Sequence, residues 1–541
     1  MPELQAVFSA SMSGDEILEQ LRHLGNAVPE PLWARLALLV TFDQVIYQET
    51  IREFPTAPSF SSLTTSGMVR SFDVERGEFA LTAAKRADAL AEQAASARED
   101  LAGFAQRIVA SLDPAVPSNR WNILAASLVA QPQQAAALFT DLYNAADESF
   151  DLAECSRLID VLSARVVLLN DNLNSLWKNA EAYYRSRSLF VTDYYRSATY
   201  LKRSARTNAE GESTPPVEAQ FESFWSSPQT WLLNVYGKGG SGKTMFVRWL
   251  IARRCLPRRN NQPPIAVARV DFDDVDLDSF DRFPELLLGP IMTQLSTQLP
   301  GRPFQTEASK FQQYAAYLKR GTRPSEQSDN TIRLNMNAAV SGLQSELGNH
   351  AVLVVLDTCE EPLIHRKAAF ERMLAIFAQV HSTCPGVRLL VSGRYRLNEK
   401  GLTSHQSITA AVEVPPFSIP ESRRYLVQNR GMKQGALVNA IAARGGGNPF
   451  VLSLFAELVA ESPKEWTAKA VREAPSADLI YLLERVILRI PHPAVRWLVR
   501  YAAIPRLLTR DFAEKVIGPW LPLHHGSDDA NRFRDPRAVR R

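Results

Sequence analysis

A chain of 541 residues is long enough for about three or four domains with buried cores, and its 45% hydrophobic and 22% charged content is that of an ordinary soluble protein. The 61 basic and 58 acidic residues nearly cancel, so global charge gives no argument for nucleic acid or a membrane surface as partner. No apolar run approaches the length of a spanning helix, and residues 1–12 have neither a basic start nor a long apolar core, so membrane insertion and secretion are not expected.

In chain order, the first 203 residues read as an α-helical domain. Helical periodicity runs through Gly14–Leu24, Leu81–Val109, Ala135–Ala146 and Leu152–Ser188, punctuated by Pro114, Pro117 and Pro132. This region holds no paired histidines, no nucleophile motif and no second phosphate loop, so its role is unassigned. The aromatic-basic stretch Tyr183–Arg203 could stack on nucleic acid. It reads more simply as a helix whose tyrosines pack and whose arginines extend to solvent. Residues 204–220, polar and interrupted by Pro215 and Pro216, form a linker candidate.

A P-loop domain is predicted over 221–416. The apolar run Trp231–Tyr236 enters Gly237-Lys238-Gly239-Gly240-Ser241-Gly242-Lys243-Thr244, and an amphipathic stretch, Met245–Arg254, leaves it. Glycines there can take positive φ, so consecutive backbone N–H groups can turn inward around phosphate oxygens. Lys243 supplies a mobile positive charge, Thr244 offers a hydroxyl to Mg²⁺, and the following helix presents its positive end. The stretch from Gly237 through Met245 is therefore the expected binding set for a nucleoside triphosphate.

Four further strands are predicted: Ile265–Phe272, Ala351–Asp357, Val387–Arg394 and Ala410–Pro415. With helical segments between them they form a parallel five-stranded sheet, and the residue ending each strand should face one site. Asp357 would hold the Mg²⁺ shell through a water, Glu360 or Glu361 would orient the attacking water, and Arg394 would sense the γ-phosphate. Asp271, Asp273 and Asp274 read as a solvated acidic turn, and 301–329 as a polar surface insertion. Cys155, Cys255, Cys359 and Cys384 are widely spaced, without metal-ligand spacing, which reads as reduced thiols in a cytoplasmic protein.

Beyond the sheet, Gly445-Gly446-Gly447-Asn448-Pro449 reads as a glycine-rich turn opening a buried helix. Together Gly237–Thr244, Val352–Glu361, Ser392–Arg394 and Gly447–Pro449 resemble the STAND NTPases, the signal-transduction branch of the AAA+-related ATPases that includes NACHT and NB-ARC proteins. The resemblance covers about 221–521. It implies a helical lid over 417–475, with Pro449 packed near bound nucleotide, and a partial winged-helix domain over 476–521; residues 522–541, polar and arginine-rich, read as a basic, flexible tail. Two parts of the family pattern are missing. Only Tyr200–Arg203 and Phe221–Phe224 stand, weakly, where an adenine-side motif is expected, and no C-terminal repeat array follows.

The expected activity is slow Mg²⁺-dependent hydrolysis of ATP to ADP, with nucleotide state controlling domain opening, self-association into a homo-oligomer and contact with an unidentified signalling partner. One alternative is a DNA-binding AAA+ ATPase of origin-recognition or loader type, for which the arginines of 479–521 would form a basic face. Another is a non-hydrolysing nucleotide-bound scaffold.

Overall fold

The computed structural model describes residues 29–93, 98–207, 211–258, 264–319, 341–342, 347, 350–398, 409–474, 509–512 and 515–516. The chain divides into two compact units, the first comprising residues 1–191 with 292–309, the second 192–291 with 310–541.

In the first unit, α1 (Glu30–Leu38), α2 (Gln44–Ile51) and α3 (Phe60–Thr64) precede a hairpin of β1 (Val69–Asp73) and β2 (Glu78–Leu81). There follow α4 (Ala83–Gln93), α5 (Arg98–Ser111), α6 (Pro117–Ala130), α7 (Pro132–Glu148), α8 (Leu152–Ser163) and α9 (Asp171–Leu189). One apolar cluster gathers Leu36, Phe42, Tyr47 and Phe104, and a second gathers Trp121, Phe139, Leu158 and Tyr183. Arg165, 1% exposed, donates to the carbonyls of Leu38 and Val161 at 2.8 and 2.9 Å, so its guanidinium satisfies the carbonyl end of α1.

Two expectations change here. Leu81 ends a strand instead of starting a helix, because Val69–Asp73 and Glu78–Leu81 are joined by the turn Val74–Gly77 and their short alternation is masked by the helical pattern beside it. The segment Leu152–Ser188 is also not one helix. Asn170 accepts from the N–H of Leu173 and starts α9 afresh, as an asparagine N-cap does.

The second unit opens with α10 (Val191–Arg196). Residues 204–220 are more structured than a linker: β3 (Arg206–Thr207) pairs with β4 (Ser213–Thr214), and α11 (Val217–Ser226) begins within the run. The core strands are β5 (Leu232–Tyr236), β6 (Ala266–Asp271), β7 (Val352–Asp357), β8 (Val387–Gly393) and β9 (Thr409–Glu413), all parallel in the order β6-β7-β8-β5-β9. β7 is buried along its whole length, which its unbroken apolar run requires of a strand covered on both faces.

Between strands run α12 (Lys243–Trp249), continued as a π-helix to Cys255, then α13 (Leu277–Arg282), α14 (Leu288–Gln298), α15 (Gln305–Lys319), α16 (Glu360–His365) and α17 (Lys367–Thr383), with residues 292–309 of α14 and α15 grouping with the first unit. Residues 305–319, within the stretch expected as a surface insertion, are helical.

After β9 come α18 (Ile419–Arg424), α19 (Ala436–Arg444), α20 (Pro449–Glu461) and α21 (Ala468–Glu473), packed on Phe417, Leu426, Ile441, Leu452 and Phe455. Ser418 and Glu421 close a reciprocal capping box on α18. Among the described residues no helix is long and apolar enough to cross a membrane. The predicted helix Gly14–Leu24, nearly all of the predicted winged helix over 476–521, and the basic tail over 522–541 lie outside the described residues.

Candidate nucleotide site

The parallel register brings the carboxyl ends of β5, β7 and β8 to one edge, where Gly237, Asp357 and Arg394 emerge. Gly240 and Gly242, at φ +74° and +95°, take the left-handed backbone that the loop needs. No side chain caps α12, whose first N–H groups are left to face the loop. Lys243 is 9% exposed, and its Nζ donates to the carbonyls of Gly237 and Lys238 at 2.9 and 3.2 Å. Burial holds its ammonium below the usual lysine value, with Glu360 pulling the other way.

At the end of β7, Asp357 is 1% exposed, and its Oδ1 accepts the N–H of Thr358 at 3.1 Å. Thr358 has φ +57°, uncommon for a β-branched residue, and the N–H of Cys359 then donates to the Ser392 carbonyl at 3.0 Å. This bend starts α16, on which the two glutamates point in different directions. Glu360 turns to Arg394, whose Nε lies 3.3 Å from Oε1, and its side chain is 21% exposed. Glu361 is 58% exposed and lies 3.8 Å from His365. Arg394 also borders the loop, since a Cβ added at Gly239 would sit 3.7 Å from its Cζ. Cys359 is fully buried, and burial pushes its thiol well above the usual value, which leaves it an inert packing group.

The helices that follow β9 reach the loop directly. Asn448 Oδ1 accepts from the N–H groups of Phe450 and Val451, capping α20, while its Nδ2 donates to the Gly239 carbonyl at 3.0 Å. Pro449 Cγ would lie 3.8 Å from a Cβ on Gly242. A cavity of about 320 Å³ opens beside these contacts. One wall is Gly240, Gly242, Lys243, Thr244 and Met245; a second is Tyr425, Arg430, Pro449, Phe450 and Ser453; the third is the segment from Thr199 to Arg203, with Phe417.

That third wall was visible in the sequence only as the weak Tyr200–Arg203 match. Arg203, 5% exposed, donates to the Ser241 carbonyl at 2.6 Å and lies 4.1 Å over the Phe417 ring. Tyr200 donates to Glu218 at 2.7 Å and stacks on Trp249 at 5.4 Å. Arg430 bonds Ser453 and Tyr425, and no local motif marked it. Of the predicted residues, Gly240, Gly242, Lys243, Thr244, Met245 and Pro449 line the cavity. Gly237, Lys238, Gly239 and Ser241 complete the loop behind them, Asp357, Glu360 and Arg394 stand at the strand edge, and Glu361 faces away.

Asp271, expected in a solvated turn, instead meets a largely buried cation. It lies 3.3 Å from Arg269, which also bonds Asp357 at 2.8 Å.

A family model described as Nephrocystin 3, N-terminal, matches residues 217–394, the span from α11 to Arg394. The core has the fold expected of a P-loop domain: a parallel five-stranded sheet in which β5 runs into the glycine loop and α12. No curated protein matches the chain. Among solved structures, the chain is similar to the Walker-type ATPase of Pyrococcus abyssi, at 14% identity over 59% of this chain and 88% of that one, with a TM-score of 0.32. It is also similar to the Aeropyrum pernix ORC1 protein in complex with DNA, at 16% identity over 64% and 84%, TM-score 0.33. Drosophila ORC bound to DNA gives 12% identity over 65% and 84%, TM-score 0.31.

Proposed function

We propose that this chain is an ATP-dependent switch of the signal-transduction type, binding ATP with Mg²⁺, hydrolysing it slowly, and reading the outcome through the helices of 417–474. The observation that carries this reading is the cavity shared by the phosphate loop and α20, joined by the bond from Asn448 to Gly239.

The residues present fit a nucleotide. Lys243 is a buried ammonium whose partners are carbonyls, and Ser241 Oγ and Glu360 Oε2 are buried without a hydrogen-bond partner among the described residues. Thr244 and Asp357 would hold Mg²⁺, which when bound neutralises phosphate charge. Lys243 would trade its carbonyl partners for phosphate oxygens. Glu360 would orient a water, and Arg394, 3.3 Å from it and bordering Gly239, would respond to charge there. Arg203, Phe417 and Pro449 supply flat or apolar surface for a base.

A nucleotide can shift the lid only by contacting its two positions differently. Asn448 offers such a contact, because its loop partner is the same backbone that must cradle phosphate. ADP retention would hold the lid down, and ATP exchange would release it for self-association.

The test is to purify the chain without added nucleotide, denature it and identify what is released by anion-exchange chromatography. Near-stoichiometric ADP is expected. An empty site with rapid ATP turnover would overturn the switch reading and favour a motor or loader.

A further inference from the structure

Arg269 stands on β6, where Asp271 is in register with Asp357 of β7. Its side chain is 12% exposed and serves three carboxylates at once. Nη2 lies 2.8 Å from Asp357 and 3.3 Å from Asp271, and Nη1 lies 3.4 and 3.5 Å from the two oxygens of Asp193. Asp193 belongs to α10 and is itself 11% exposed. Its Oδ1 also lies 3.2 Å from Nε of Arg248, on the helix that follows the phosphate loop. An ion-pair chain therefore runs from Asp357 through Arg269 and Asp193 to Arg248, linking the carboxylate at the end of β7 to both the loop helix and the segment that opens this unit.

We propose that Arg269 is a positioning residue that sets the orientation and effective charge of Asp357, and so the affinity of the site for its divalent cation, with Asp193 balancing Arg269. This rests on the nucleotide reading of the site. A guanidinium can engage two carboxylates in fixed directions, which an ammonium cannot do as well. Its charge beside Asp357 opposes a second cation at the same carboxylate, and burial leaves that opposition weakly screened. Asp193 offsets part of it. The network therefore predicts a sign. Neutralising Asp193 leaves more positive charge facing Asp357 and weakens the metal, whereas neutralising Arg269 strengthens it while loosening the carboxylate's orientation. Arg248 reports the same crowding, since burial and then Arg269 press its guanidinium below the usual value.

The experiment uses the full chain saturated with ADP and titrated with Mn²⁺ as a paramagnetic substitute for Mg²⁺, free Mn²⁺ being read by electron paramagnetic resonance. Asp193→Asn should raise the Mn²⁺ dissociation constant and Arg269→Gln should lower it, each by about threefold or more, and Arg269→Lys, which keeps the charge but not the planar fork, should stay closer to the wild type than either. If both neutral variants leave the constant unchanged, or move it the same way, the network is only a scaffold and the proposal is overturned. Should Arg269→Gln not fold, Asp193→Asn against Arg269→Lys carries the same test, and an unmoved constant in Asp193→Asn overturns it. A wild-type chain that binds no ADP, or binds Mn²⁺ equally with and without it, would instead overturn the nucleotide reading beneath the proposal.

Discussion

Two adjacent glutamates have opposite fates here, because they are successive residues of α16 and so point about 100° apart around its axis. Thr358 at φ +57° sets where α16 starts, and on that helix Glu360 meets Arg394 while Glu361 stands 58% exposed beside His365. Removing a group that orients the attacking water costs about 100-fold or more in turnover. Glu360→Gln should therefore lower steady-state phosphate release by at least about that factor, and Glu361→Gln should stay within about twofold of wild type, as exposed charges generally do. Equal losses in the two would mean that the bend does not select between them.

The phosphate loop was legible because all its chemistry lies within eight consecutive residues. The glutamate choice was not, because it depends on which face of α16 meets Arg394, and two adjacent acids look alike in sequence. Arg269 was illegible for another reason: its partners lie on β7 and α10, and only sheet register brings them together.

At the scale of elements, strand positions were readable from apolar runs ending in polar residues, and α20 from its Asn-Pro start. What the pattern could not give is how the helices after β9 are fastened. Asn448 does this twice, as cap and as donor to Gly239. Asn448→Ala should cost about 1 kcal/mol of stability from the lost cap. It should also speed release of a fluorescent ADP analogue in stopped flow; an unchanged off-rate would separate the lid from nucleotide retention.

Glu421 is the second fastening. Its carboxylate accepts from Ser204 N at 2.6 Å, Ser418 N at 2.7 Å and Arg206 at 2.8 Å. Burial would raise its pKa, but these donors and the charge of Arg206 hold it below the usual 4.5. Because the folded value is the lower one, the stabilisation is complete above about pH 4.5 and is lost as pH falls through the depressed value. Glu421→Gln should therefore be less stable at neutral pH by about 2 kcal/mol, and its difference from wild type should shrink below pH 4.5. A pH-independent difference would assign the loss to packing.

On the scale of the whole molecule, composition gave several domains but not where they part. The predicted break after residue 203 followed helical periodicity, whereas residues 192–203 group with the P-loop unit, and Leu201 packs in the cluster beneath α20. Contacts between distant segments made that division, and periodicity carries no record of them. Two units with separate cores predict two transitions in scanning calorimetry. ADP with Mg²⁺ at about 100 times its dissociation constant should stabilise the second unit by about 2.7 kcal/mol. The other transition should stay in place, and a single transition shifting as a whole would show that the units unfold together.

The return of residues 292–309 to the first unit bears on how the chain is made. Arg185 donates to the Thr297 carbonyl at 2.8 Å and Ser186 to Gln298 at 3.0 Å, so α9 acquires its last partners more than a hundred residues downstream. During synthesis the phosphate loop and β6 leave the ribosome before the helical unit ahead of them can be finished. The second unit is likewise completed only by residues 310–541, so no single cut in the gene yields either one whole.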